Sequence, residues 1–280
     1  MSTRSYKIKR IHAVERAVAV MDCLHGHPEG MALRELHQRL AIAKPTLLRI
    51  LATLRDQGMV WQRLADHAWL GSDRRQRIVS LQQPFWLAEL ASPILAELAL
   101  KVPWPSQVSI PIEGAMQVIE SNYSEAFIDP LPPNSIGYRV PVLRSASGRA
   151  WFGYASPAAR DSMLAHLRQS PLEGNQEARE PAAVEALIAE VTQRGYATRS
   201  PLFGGDFNIP RTISDDARET IALPIRLDGC SIASLNLTWK NHVVDLKKVI
   251  AMHFEVFKAA ALGIENAARD YVAQRSLFKD

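Results

Sequence analysis

At 280 residues with 47% hydrophobic content, the chain is long enough to bury two separate cores. Its net charge of +4 is unevenly spread: residues 1–84 hold 14 Lys and Arg against 7 Asp and Glu, net +7, and residues 85–280 hold 19 against 22, net −3. The sequence has no apolar run of about 18 residues, no secretory h-region, and two cysteines, Cys23 and Cys230, without motif spacing; neither a membrane span nor a disulfide framework is expected, and a cytoplasmic location with reduced thiols is.

The first predicted helix carries Val14, Ala17, Val18, Met21 and Leu24 on its apolar stripe. Leu33, Leu36 and Leu40 mark a second, short helix, and the Ala41–Ala43 segment joins it to a third. From Lys44 to Gln57, Leu47, Ile50, Leu51 and Leu54 recur at i, i+3, i+4 and i+7, which sets one stripe on a core. The opposite face presents Lys44, Thr46, Arg49 and Thr53. Pro45 suits a first helical turn, and Gly58 suits the left-handed position after a last one. Met59–Arg63 and Ala68–Leu70 then read as two short strands about Leu64–His67. Three helices followed by such a pair form a winged helix-turn-helix, which offers the first turns of its second motif helix to the major groove. Lys44, Pro45, Thr46 and Arg49 are therefore the expected readers. Arg63 and the arm residues Lys7, Lys9 and Arg10 are expected to hold phosphates, with the arm reaching a minor groove.

Ser72–Leu81, with Ser72 or Asp73 as a cap and Ile78, Val79 and Leu81 apolar, reads as a linker helix; its Arg74, Arg75 and Arg77 suit either phosphate contact or a solvated face. Pro84–Lys101 continues as a helix with Leu87, Leu90, Ala91, Ile94, Leu95 and Leu98 on one stripe. Gln107–Ile112 and Met116–Ser121 are predicted strands about Glu113-Gly114, and Ser147–Tyr154, Pro157–Arg168 and Pro181–Arg194 predicted helices, the last closed by Gly195. Thr220–Arg226 and Ser231–Trp239 form a predicted hairpin about Asp228-Gly229. Val243–Gln274 reads as one helix with Val249, Met252, Val256, Ala260 and Leu262 partly buried. The fold class is α+β, with an antiparallel sheet in the body.

Lys44-Pro45-Thr46-Leu47-Leu48-Arg49-Ile50-Leu51-Ala52-Thr53-Leu54, followed by Gln57-Gly58-Met59-Val60, resembles the recognition segment of the IclR-type transcriptional regulators. Leu143-Arg144-Ser145-Ala146-Ser147-Gly148-Arg149-Ala150-Trp151 is similar to their small-residue turn entering a helix, and Thr220–Ile225 with Ile232–Leu237 to their final paired strands. Val102-Pro103-Trp104-Pro105 and Leu235-Asn236-Leu237 look most like the subgroup that activates hydroxyphenylpropionate breakdown. The resemblance implies a winged helix-turn-helix at 1–71, a linker helix at 72–84 and a GAF-like effector-binding domain at 85–280. It further implies an operator-binding dimer or dimer of dimers, a small-molecule effector, contact with RNA polymerase, and control of a catabolic operon.

Ser145-Ala146-Ser147-Gly148 opens a helix, whose free amides and dipole attract a carboxylate. Asn236 and Thr238, two apart on a strand, share a face with Ser234, and the resemblance assigns such strand positions to the effector. Ser145, Ala146, Ser147, Gly148, Trp151, Asn236 and Thr238 are the expected effector contacts, with Trp104 and Tyr138 as further aromatic walls for a ring-bearing acid. Where the family often carries a glycine before the strand at Thr220, this chain has Asp215-Asp216-Ala217-Arg218-Glu219. The Pro201–Asp206 loop, with its Gly204-Gly205 pair, suits either a surface turn or a cover for the ligand.

The chain lacks the Gly-x-Ser-x-Gly elbow, the P-loop and Gly-x-Gly-x-x-Gly, so an enzyme is not expected, and neither is a cofactor or a metal site. His25-Gly26-His27 reads as a helix end, and Glu177, Glu180 and Glu185 as charges at a helix start. An effector-independent DNA-binding or packaging protein is the alternative reading.

Overall fold

A computed structural model describes residues 11–72, 85–123, 136–207 and 209–276. The chain divides into two compact units, Met1–Val79 and Ser80–Asp280.

The first unit holds α1 (His12–His25), α2 (Leu33–Leu40), α3 (Lys44–Asp56) and a two-stranded wing, β1 (Val60–Gln62) and β2 (Trp69–Gly71), paired antiparallel with Trp61 opposite Leu70. Its core joins Val20 and Leu24 of α1, Leu36 of α2, Leu47, Leu51 and Leu54 of α3, and Val60 and Trp69 of the wing. Glu35 Oε2 accepts the Ala32 amide at 2.8 Å and fixes the start of α2. Ala41 ends α2 in the left-handed region, φ 52°, and the buried Ile42 after it pins the turn to the core. α1 departs from the expected stripe. Val20 and Leu24 are buried, but Val14 and Val18 are about half exposed and, with Ile11, leave an uncovered apolar row on the helix.

Among the described residues, the second unit has a six-stranded antiparallel sheet in the order β5-β4-β3-β8-β7-β6. The strands are β3 (Ser106–Ile112), β4 (Ala115–Ser121), β5 (Arg139–Pro141), β6 (Ala197–Thr198), β7 (Arg218–Leu227) and β8 (Cys230–Lys240). Two tight turns fix its register: Glu113 and Gly114 at φ 45° and 79°, and Asp228 and Gly229 at φ 51° and 82°. Two successive positive φ angles give the turn whose twist matches paired strands.

α5 (Ala146–Tyr154), α6 (Pro157–Gln169), a 3₁₀ turn (Glu173–Arg179) and α7 (Pro181–Arg194) build a core with Met116 and Ala222 of the sheet. Gly195 closes α7 in the left-handed region at φ 76°. Ile221, Leu235 and Leu237 alternate onto the other side of the sheet and are fully buried there. α4 (Phe85–Ala99) and α8 (Leu246–Ser276) supply the cover, pinned to each other by Trp86 stacked on Tyr271 at 4.9 Å. α8 buries Val249, Phe257, Ala261, Ile264 and Ala268, whereas Met252 and Leu262, expected to be partly buried, are exposed. Arg144, buried at the entry to α5, holds Glu177 at 2.7 Å and Glu173 at 3.3 Å, so Glu177 is an ion-pair partner and not a helix-start charge. Among the described residues no helix is long and apolar enough to cross a membrane.

The expected linker helix lies outside the described residues apart from Ser72, as do Lys7, Lys9 and Arg10.

Candidate DNA-binding surface and effector cavity

In the first unit α3 follows Ala43, which offers no side-chain cap, and Pro45 stands in its first turn. Lys44, Pro45 and Arg49 are exposed and Thr46 is half-buried, while Leu47 and Leu51 face the core. The outer face also presents Leu48, 47% exposed, which an apolar-stripe reading of the sequence passes over. Thr53 Oγ1 donates to the Arg49 carbonyl at 2.9 Å, so its hydroxyl serves the helix itself. Arg63 is not available as a phosphate contact. Its side chain is only 8% exposed, and Nε and Nη2 clasp both oxygens of Asp66 at 2.9 and 2.6 Å. The pair closes the wing. Burial pushes the Asp66 carboxyl up, but the Arg63 hydrogen bond, the Ala68 amide and the nearby positive charge outweigh it and hold the group below its ordinary value.

In the second unit a cavity of about 160 Å³ opens between the start of α5, one face of the sheet and the loop after β6. The sheet register assembles its floor. Gln107 faces Asn236, Ser109 faces Ser234, and Thr220 faces Thr238 with their hydroxyls 3.1 Å apart. Asn236 Nδ2 donates to Ser147 Oγ at 2.9 Å, which ties the first turn of α5 to β8. Ser145 caps α5 by accepting the Gly148 amide at 3.0 Å, leaving the amides of Ala146 and Ser147 as the outermost of the helix.

Five of the seven expected effector contacts line this cavity: Ser145, Ala146, Ser147, Asn236 and Thr238. Gly148 and Trp151 do not. A Cβ at Gly148 would overlap the Val142 carbonyl, so this glycine lets α5 pack against backbone. Trp151 lies in the core beneath, its carbonyl accepting from Ser231. Of the two aromatic walls, Tyr138 lines the cavity and Trp104 does not; the Tyr138 hydroxyl donates to Gly205 at 2.8 Å. Burial, and then the charges of Asp206 and Asp216, push that hydroxyl above its ordinary pKa, so it stays a donor.

The charged part of the lining has no signature in the sequence. Arg199, 4% exposed at its side chain, donates to Asp216 at 2.8 and 3.3 Å and to the Arg218 carbonyl at 2.6 Å. Its guanidinium lies 4.7 Å from the Phe203 ring. Asp216 and Arg218 come from the segment that stands in place of the family's glycine, and both line the cavity. Gly205, at φ +105°, admits the Asp216 carboxylate where any side chain would strike it. The Pro201–Asp206 loop therefore forms a packed wall, with Phe203 buried and Gly205 in the lining. Among the described residues, Asn236 Oδ1, Ser109 Oγ and Arg199 Nε are buried without a hydrogen-bond partner.

Among the described residues, a three-helix head with a two-stranded wing has the form of a helix-turn-helix DNA-binding domain, and the second unit is an α+β domain with a polar-lined cavity. Residues 13–64 match the IclR helix-turn-helix domain, so the head of this chain is a helix-turn-helix domain of that type. It is 25% identical over 171 residues to the HTH-type transcriptional regulator Rv1719 of Mycobacterium tuberculosis, covering 59% of this chain and 62% of that one. It is 26% identical over 189 residues to the HTH-type transcriptional regulator BhcR of Paracoccus denitrificans, covering 67% and 66%. The match thus spans less than two thirds of each relative's length.

Solved structures share the fold. The IclR of Thermotoga maritima superposes with TM-score 0.52 at 14% identity, over 93% of this chain and all of that one. An IclR homologue of Microbacterium hydrocarbonoxydans, solved with 4-hydroxybenzoate, does so with TM-score 0.50 at 20% identity, over 92% and 99%.

Proposed function

We propose that this chain is a sequence-specific DNA-binding transcriptional regulator whose operator affinity is set by a small carboxylic acid held in the cavity between α5 and β8. The observation that carries the reading is the charge of the lining: Arg199 and Arg218 against Asp216, net +1, beside the positive end of α5. Two arginines and one aspartate in the lining, beside a helix start, suit an organic anion. The volume suits a ring, since an apolar cavity of roughly 150 Å³ takes up benzene, and the ligand of the Microbacterium hydrocarbonoxydans homologue is an aromatic acid.

On the DNA side, the exposed start of α3 supports Lys44, Pro45, Thr46 and Arg49 as the groove contacts. A helix-turn-helix on a palindromic site needs two copies, and the uncovered row Ile11, Val14 and Val18 on α1 offers a surface that a second copy of this chain can bury.

A thermal-shift screen of the full chain against small aromatic and aliphatic acids, followed by binding to duplexes selected from random DNA with and without each hit, tests the reading. An acid that stabilises the protein and changes operator affinity supports it. By linkage, operator DNA must then change the acid's affinity by the same factor. DNA binding that is indifferent to sequence and to every acid would leave the packaging alternative.

A further inference from the structure

We propose that the outer face of α8 is a self-association surface, on which a second copy of this chain lays its own α8 antiparallel, about a two-fold axis at residue 257. The proposal rests on neither the acid-binding nor the DNA-binding reading, and the surface is separate from the uncovered row on α1.

The outward side of a helix packed on a domain is ordinarily polar, because only the inner stripe has apolar neighbours. α8 departs from this in the middle of its outer face. Met252 is 68% and Leu262 52% exposed, although Phe257, Ala261 and Ile264 on the other side already serve the core. Between the two, Glu255 and Ala259 continue the same exposed row at steps of three and four residues. That spacing is the seam of a helix pair. Beside it, Glu255, Ala259 and Gly263 of α8 and Ile94 and Leu98 of α4 line a groove of about 450 Å³, open to a long side chain from outside.

The charges decide what fits. In an antiparallel pair centred on residue 257, positions equally far on either side of 257 face each other across the two copies. Met252 then meets Leu262 of the second copy, next to the groove at Gly263, and Glu255 meets Ala259 with Lys258 beside it. Further out, Asp245 meets Arg269 and Lys248 meets Asn266, all four exposed. Each contact occurs twice, as a two-fold axis requires. No like charges are opposed. In a parallel pair every residue faces its own copy, so Asp245, Lys248, Glu255 and Arg269 each meet a like charge. Sliding the antiparallel pair by one heptad in either direction sets Met252 against Arg269 or Glu255 and leaves no large apolar pair. The seam from Asp245 to Arg269 is about 36 Å long and about 10 Å wide, so each copy buries on the order of 400 Å², half the area of a standard interface. The contact is therefore reversible, with a dissociation constant in the micromolar range or weaker.

Sedimentation velocity of the full chain over a range of concentrations, with surface variants that leave the core untouched, tests the proposal. Leu262→Glu is expected to weaken association about 10-fold or more, by setting a carboxylate against Met252. Adding Met252→Lys to it is expected to recover most of the loss. The new lysine and glutamate face each other only across two copies, because within one chain they stand ten residues, about 15 Å, apart. Association through α1 is common to all three proteins and cancels from the comparison. Parent and Leu262→Glu proteins that associate alike, or a double variant no better than Leu262→Glu, overturn the proposal.

Cross-linking reads the orientation. A protein carrying Met252→Cys and Leu262→Cys together is expected to form a disulfide-linked dimer under mild oxidation. The Met252→Cys protein alone is not, since its two cysteines lie about 15 Å apart along the pair. Dimer from Met252→Cys alone, beyond what Cys23 and Cys230 give the parent, overturns the antiparallel arrangement. No dimer from the double variant overturns the surface itself.

Discussion

The side-chain amide of Asn236 on β8 donates to the hydroxyl of Ser147 in the first turn of α5 across 2.9 Å, joining residues 89 positions apart. The bond holds the helix start over the sheet and keeps the amides of Ala146 and Ser147 at the cavity. Its loss matters twice, because both side chains are buried and an abandoned Ser147 hydroxyl has little water to turn to. Asn236→Ala is expected to lower stability by about 1–3 kcal/mol and to abolish stabilisation by any acid that binds the cavity. Urea denaturation with and without the acid measures both. A variant as stable as the parent would show that the bond does not hold α5 in place.

Gly148 stands one residue beyond Ser147 and has a different task. Its Cα lies so close to the Val142 backbone that a methyl group has no room, and the obstacle is a carbonyl, not a side chain that can swing aside. Gly148→Ala is expected to cost about 3 kcal/mol or more, at the upper end for an overpacked core. Ser145→Ala removes only the cap of α5 and is expected to cost about 1 kcal/mol. Equal losses in the two variants would contradict a packing role for Gly148.

Much of the frame was legible because local chemistry and tertiary packing agree. Asp228-Gly229 set the hairpin, Pro181 and Gly195 bounded α7, and the leucines of α3 placed its buried face. The departures have physical reasons. α8 is rich in small and apolar residues on several sides, so more than one stripe fits a 3.6-residue period; packing against α4 and β7 buries Phe257, Ile264 and Ala268 rather than Met252 and Leu262. Arg199 and Asp216 meet because a two-residue strand and an irregular segment are brought together, and neither carries a periodic pattern. Arg63 has the charge of a phosphate contact, yet Asp66, three residues on, turns it back onto the wing. Sequence spacing allowed either direction.

The Arg63–Asp66 clasp ties wing stability to pH. Because the Asp66 carboxyl titrates below its ordinary value of 3.8 in the folded head, the unfolded chain takes up its proton first as pH falls. The contribution is therefore complete above about pH 4 and is lost as pH falls from there through the lower folded-state value. Asp66→Asn is expected to be less stable than the parent at pH 7, with the gap narrowing below pH 4. Denaturation of the head followed by Trp61 and Trp69 fluorescence at pH 7 and pH 3 checks this. A gap equal at the two pH values would mean that the carboxylate charge does not hold the wing.

The recognition helix carries the last prediction. Arg49 and Leu48 are exposed neighbours on α3, one able to pair with guanine and the other to rest against a thymine methyl. Arg49→Ala is expected to cost about 1–3 kcal/mol on selected sites and much less on random duplex, because a base-pairing arginine serves sequence more than charge. Leu48→Ala is expected to leave random-duplex affinity unchanged, since it adds no charge for phosphates, and to relax selection at one A·T position. Competition binding at fixed salt separates the two contributions, because a phosphate contact weakens both duplexes alike and lowers the salt dependence. Equal losses on selected and random DNA would move Arg49 from the reading set to the phosphate-holding one. An unchanged sequence preference in Leu48→Ala would leave that leucine as exposed surface and place the reading on Lys44 and Thr46.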